Sequence, residues 1–156
     1  MRLLFLCSNH RNWLESDQTA AHDSWLRSYE HATIFLSTDE RNHAVNYAGC
    51  ALETAELMLF NHKQHSEDDV RRFVGSAILL CKSLIQADQH RLVCGVVGGS
   101  IARLEELVLD GIQRTAALKG CQELLTVFDN QDAAMPSQYD SLSTLSTQPP
   151  FPMTLQ

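Results

Sequence analysis

The stretch 66–85, "SEDDVRRFVGSAILLCKSLI", constrains this chain more than any other. Its residues Val70, Phe73, Val74, Ala77, Cys81, Leu84 and Ile85 recur at intervals of three and four. That spacing is the 3.6-residue period of an α-helix with one buried face. Ser66 precedes it and Asp69 follows three residues on, the reciprocal pattern of a capping box. Glu67, Asp68 and Asp69 then sit where the helix dipole favours negative charge. A helix with so wide an apolar face must bury it against other elements, and those elements decide the fold class.

The elements on offer are helices. Over residues 19–36, Ala21, Trp25, Tyr29, Ala32 and Leu36 form a second stripe. Residues 39–60 carry Val45, Ala48, Leu52, Ala55 and Leu59, with Thr38 as the expected N-cap. Asp88 is the expected cap of a fifth segment faced by Val93, Val96, Val97, Ile101, Leu104 and Val108. Residues 112–128 use Ala117, Cys121, Leu124 and Phe128. At the start, Leu3, Leu6, Cys7, His10 and Leu14 also fit one helical face. The expectation is an all-α domain over residues 1–129, with about six antiparallel helices paired as three helical hairpins. Gly95, Gly98 and Gly99 interrupt the fifth segment. Each costs about 1 kcal/mol against alanine in a helix, and a close helix–helix crossing is the expected reason for them.

After Phe128 the composition changes. All four prolines lie beyond that point, Ser, Thr and Gln are frequent, and there is no Lys or Arg. Such a segment buries too little apolar surface to offset its ordering entropy. Residues 130–156 are expected to be a disordered tail, in which "QPPFP" at 148–152 has the composition of a polyproline II recognition element.

With 156 residues and 44% hydrophobic content, the chain has the material for one ordinary core. The net charge is -7, and Arg71–Arg72, the one adjacent basic pair, stands beside Glu67, Asp68 and Asp69. Nucleic acids and anionic membranes both require a basic patch, so neither is expected as a partner. No apolar run reaches the length of a membrane span. The "LLFLC" opening is too short for a signal peptide's apolar region. The five cysteines are scattered, odd in number and without a CxxC pair. They read as free thiols in a reducing compartment, which makes the cytoplasm the expected location.

With an offset of fifty residues, "GCALETAELML" from Gly49 lies over "GSIARLEELVL" from Gly99. Thr38 falls on Asp88 and Arg41 on Arg91. With "YAGCAL", "VVGGSI" and "WLRSYEHATIF", this resembles the tetratricopeptide family of helical repeats. The likeness spans roughly residues 1–128, although the spacing exceeds that family's 34 residues and its closing proline is absent. The resemblance implies a non-catalytic scaffold that binds a protein or peptide in a groove lined by the first helix of each pair. Helix geometry nominates Asn42, Asn46, Glu53 and Arg103 as exposed polar residues of that groove. No cofactor is implied, and homo-oligomerisation stays open. The alternatives are a compact, oligomeric helical bundle with a structural or regulatory role, and an enzyme with a thiol or metal site.

Three patterns bear on chemistry. "LLFLCSNHRN" is similar to the opening of low-molecular-weight tyrosine phosphatases, which hold phosphate between a cysteine and an arginine six residues later. Here Trp13 takes that position and Arg11 comes two residues early. His62 and His65, with Glu67 and Asp68, invite a metal reading, but no HxxxH pair supports it and a solvated turn is expected. "CGVVGGS" lacks the Lys–Ser/Thr of a phosphate loop.

Overall fold

A computed structural model of the chain describes residues 4–61 and 65–134, the last four of them as backbone only. The described secondary structure is entirely helical: α1 (Ser8–Ser16), α2 (Gln18–Ser37), α3 (Arg41–Asn61), α4 (Glu67–Gln86), α5 (His90–Leu109) and α6 (Arg114–Ala134). None of these helices is long and apolar enough to cross a membrane.

Short connections make consecutive helices antiparallel neighbours. α2, α4 and α6 lie side by side as one layer. α3 packs onto α2 and α4, α5 packs onto α4 and α6, and α1 sits against α2 and α3. The contacts run along the chain and do not close on themselves. Among the described residues, α1 and α2 touch neither α5 nor α6, and no Cα atoms of α3 and α5 come within 8 Å of each other.

α4 is the hub of both layers, and its predicted stripe explains why. Val70, Phe73, Val74, Ala77, Cys81 and Leu84 are all buried. Phe73 meets Phe60 of α3 edge to face, with ring centroids 6.5 Å apart. α4 also buries Ser76 and Leu80 on its flanks. Ser76 accepts a 2.9 Å hydrogen bond from the Trp25 indole nitrogen, which ties α2 to the hub. The capping box forms as expected: the Asp69 amide donates to Ser66 Oγ at 3.1 Å and the Ser66 amide to Asp69 Oδ2 at 3.0 Å.

Thr38 and Asp88 do not start helices; they finish them. The Thr38 amide donates to the Ile34 carbonyl at 3.0 Å, so Thr38 closes α2. Asp39 follows with φ 59°. Asp88 follows the α4 cap, Ala87, with φ 57°. An antiparallel reversal needs a left-handed residue after the helix, and Asp is among the few side chains that tolerate it. Both aspartates then serve Arg41, whose Nε meets Asp39 at 3.0 Å and whose Nη1 meets Asp88 at 3.2 Å.

The two turns fall forty-nine residues apart, not fifty. Burial follows the same register: Ala44 corresponds to Val93, Ala48 to Val97, Ala55 to Leu104 and Met58 to Leu107. One residue of slip rotates a helix by about 100°. It places Gly49 opposite Gly98, where letter matching had placed it opposite Gly99.

Two boundaries differ from expectation. Residues 4–7 are not helical, and α1 begins at Ser8. α6 runs on to Ala134, past the expected domain limit at 129. The expected tail from residue 135 onward lies outside the described residues.

Phe73 is 2% exposed at the centre of the hub. Phe73→Ala should cost about 3–5 kcal/mol, a large part of a domain's roughly 5–15 kcal/mol. Urea or thermal unfolding followed by circular dichroism should show most of the variant unfolded or aggregated at 37 °C.

Candidate functional site

Because α3 and α5 both rest on α4 with no Cα atoms of the pair within 8 Å of each other, a groove of about 710 Å³ opens between their backbones. Phe73 and Leu80 of α4 form its floor, Gly49, Leu52, Glu53 and Glu56 face it from α3, and Phe5 reaches it from the N-terminal segment. α5 contributes Arg91, Gly95, Gly99 and Arg103, four residues apart along one ridge, with Leu92, Val96 and Ser100 beside them. The volume falls within the range of pockets that hold small ligands or short peptide stretches.

The chain itself occupies one part of the groove. Residues 4–7 are non-helical, and Phe5 lies against Gly49 so closely that a Cβ there would sit 2.3 Å from its ring. Glu53 holds this segment: its Oε1 accepts from the Phe5 amide at 2.7 Å and its Oε2 from the Leu6 amide at 3.1 Å. Arg11 of α1 donates to the same Oε2 at 3.1 Å. Two consecutive amides and a guanidinium satisfy a carboxylate that is only 5% exposed, as a buried charge requires. Glu53 was expected as an exposed groove residue, and the structure corrects this. Helix periodicity put it on the open face of α3, but the N-terminal segment packs over that face.

Arg103 lines the groove, half-buried, and its charge is engaged. Its Nε donates to Glu56 Oε1 at 2.8 Å, its Nη1 pairs with Glu106, and its guanidinium lies 3.8 Å from the Phe60 ring centroid. This bridge spans from α5 to α3 and bounds the groove at the far end of the ridge. Asn42 and Asn46 are exposed on α3, two turns and one turn before Gly49, outside the groove lining. The structure therefore brings Glu53 and Arg103 to one site and leaves the two asparagines beyond its edge.

The glycine ridge was missed as a site, although R-x3-G-x3-G-x3-R can be read in the sequence. Its glycines had been assigned to a close helix crossing. Instead, among the described residues a Cβ at Gly95, Gly98 or Gly99 would meet nothing within 4 Å. The crowded glycines are Gly49, against Phe5, and Gly120, where a Cβ would lie 2.5 Å from Val74 Cγ2. Nothing in the structure accounts for Gly98.

Cys7 precedes the first turn of α1 and is exposed, while Arg11 is committed to Glu53, so the two do not frame an anion loop. His65 meets the Leu59 carbonyl through Nδ1 at 2.6 Å, and its own carbonyl accepts from Gln113 Nε2 at 3.0 Å. It thus ties the α3–α4 connection to the start of α6, whereas His62 lies outside the described residues. Among the described residues no three His, Cys, Asp or Glu side chains converge as metal ligands do. Burial raises the thiol pKa of Cys81 to about 12 and, to a lesser degree, those of Cys50 and Cys121.

The chain matches no family model, no curated protein and no solved structure.

Two measurements test this description. Glu53→Ala removes the acceptor for two amides and should cost on the order of 2–3 kcal/mol. Hydrogen exchange should show the Phe5 and Leu6 amides losing protection first, and unchanged protection there would contradict the clamp. Cys81 has a folded pKa above its ordinary value of 9.0. Its contribution to stability is therefore complete below pH 9 and lost as pH rises from there towards 12. The melting temperature should fall between pH 9 and 11, with a shallower slope in Cys81→Ala.

Proposed function

We propose that the protein is a non-catalytic helical scaffold, similar in architecture to tetratricopeptide arrays, that binds a protein or peptide segment in the groove between α3 and α5. The reading is supported most by Gly95 and Gly99. Each costs α5 about 1 kcal/mol relative to alanine, and among the described residues no neighbour fills the space a side chain would take. The fold does not ask for these glycines. A partner whose backbone must approach the α5 ridge closely does, since glycine is the residue that permits such an approach.

The surroundings fit a peptide. Half-buried Phe5, Leu52 and Leu92, above the buried Phe73 and Leu80, offer apolar contacts to side chains, and Arg91 at the open end supplies a charge with no acidic partner among the described residues. The free thiols fit a reducing compartment, for which the cytoplasm is the simplest choice.

Gly99→Ala separates the roles of fold and partner. It should raise the melting temperature by about 2–6 °C, the equivalent of up to about 1 kcal/mol. Gly99→Leu should fill the groove. In affinity capture from the native cell, partners held by wild type and by Arg27→Glu on the distant face of α2 should be lost at least tenfold with Gly99→Leu and Arg91→Glu. Equal recovery with all four proteins would remove the groove as the binding surface.

A further inference from the structure

We propose that the groove between α3 and α5 is covered by the chain's own C-terminal segment, with "QPPFP" at 148–152 as the part that docks. This rests on the reading of the groove as a peptide site and names its first occupant.

The inference begins with where α6 leads. α5 and α6 are joined by a turn at 110–113 and run antiparallel with nearly equal lengths. α6 therefore ends, at Ala134, beside the start of α5, and Arg91 at the mouth of the groove is the second residue of α5. Residues 135–156 set out from that end. Extended, they reach on the order of 70 Å, whereas the ridge from Arg91 to Arg103 rises about 18 Å. The segment has ample length to pass the start of α5 and lie along the groove.

The chemistry of the segment fits the chemistry of the groove. It contains no Lys, Arg or His, and its one charge is Asp140, so nothing in it is repelled by Arg91. The glutamates of the groove are already engaged, Glu53 with Arg11 and Glu56 with Arg103. A polyproline II stretch docks in grooves with aromatic and apolar lining, and Phe5, Phe73, Leu80 and Leu92 supply one. Phe151 between Pro150 and Pro152 is the side chain for the apolar floor. The bare backbone at Gly95 and Gly99 admits the proline rings close to α5. Tethering adds an effective concentration in the millimolar range, so modest contacts suffice.

The test uses the full chain in two forms, wild type and Phe151→Asp. In nitrogen-15 spectra the substitution should shift the amides of Gly95, Gly99 and Ser100, far from it in sequence. A labelled synthetic peptide of residues 144–156 is then titrated into each protein. If it binds an open groove with a Kd of about 0.1 mM, the tethered copy should weaken its binding to wild type about tenfold. It should bind Phe151→Asp that much more tightly, and adding Gly99→Leu should abolish this. Unshifted groove amides together with equal peptide binding would overturn the proposal. If capture of an outside partner still depends on Gly99, the groove reading survives that result and only the tail as its occupant is lost. Groove shifts that grow with protein concentration, with a doubled mass in sedimentation, would assign the site to the segment of a second copy and would equally overturn docking within one molecule.

Discussion

The burial of one helix organises this protein. α4 carries an apolar face wide enough to receive neighbours from several directions, and α2, α3, α5 and α6 all pack against it. Two of those neighbours lie in its own layer and two lie above it. The upper pair, α3 and α5, share the width of α4 with their backbones apart and the Arg103 side chain bridging them, so the helix that supplies the core also supplies the floor of the groove. Phe73 serves in both roles, buried against Phe60 and lining the open space beyond. Core and site are therefore coupled: a change at Phe73 alters both.

Glycine has two distinct uses in this fold. At Gly49 and Gly120 the chain's own side chains come so close that a Cβ would collide with them. At Gly95 and Gly99 the space is empty among the described residues, and none of those residues offsets the cost to helix stability. A stability cost that the folded chain does not recover is a mark of function. It is the physical reason why the proposed binding surface is assigned to α5 and not to the exposed asparagines of α3.

Glu53 shows how a buried charge can organise an irregular segment. The amides of residues 4–7 donate no helical hydrogen bonds, so they need an outside acceptor. The carboxylate provides it for Phe5 and Leu6, and Arg11 balances the charge. The result fastens the start of the chain to α3 and narrows one end of the groove. It also shows that this face of α3 accommodates non-helical backbone at close range.

By itself the sequence determined the all-helical class, the stripe of α4 and its capping box, because these depend on spacings within one element. Reading the turns went astray at Thr38 and Asp88, where a good capping residue and a good left-handed residue are drawn from the same side chains. Tertiary structure alone decided the forty-nine-residue register, the engagement of Glu53 by a segment some fifty positions away, and which glycines stand in open space. Each of these depends on which helix lies opposite, and a one-dimensional period says which face is apolar but not what will cover it.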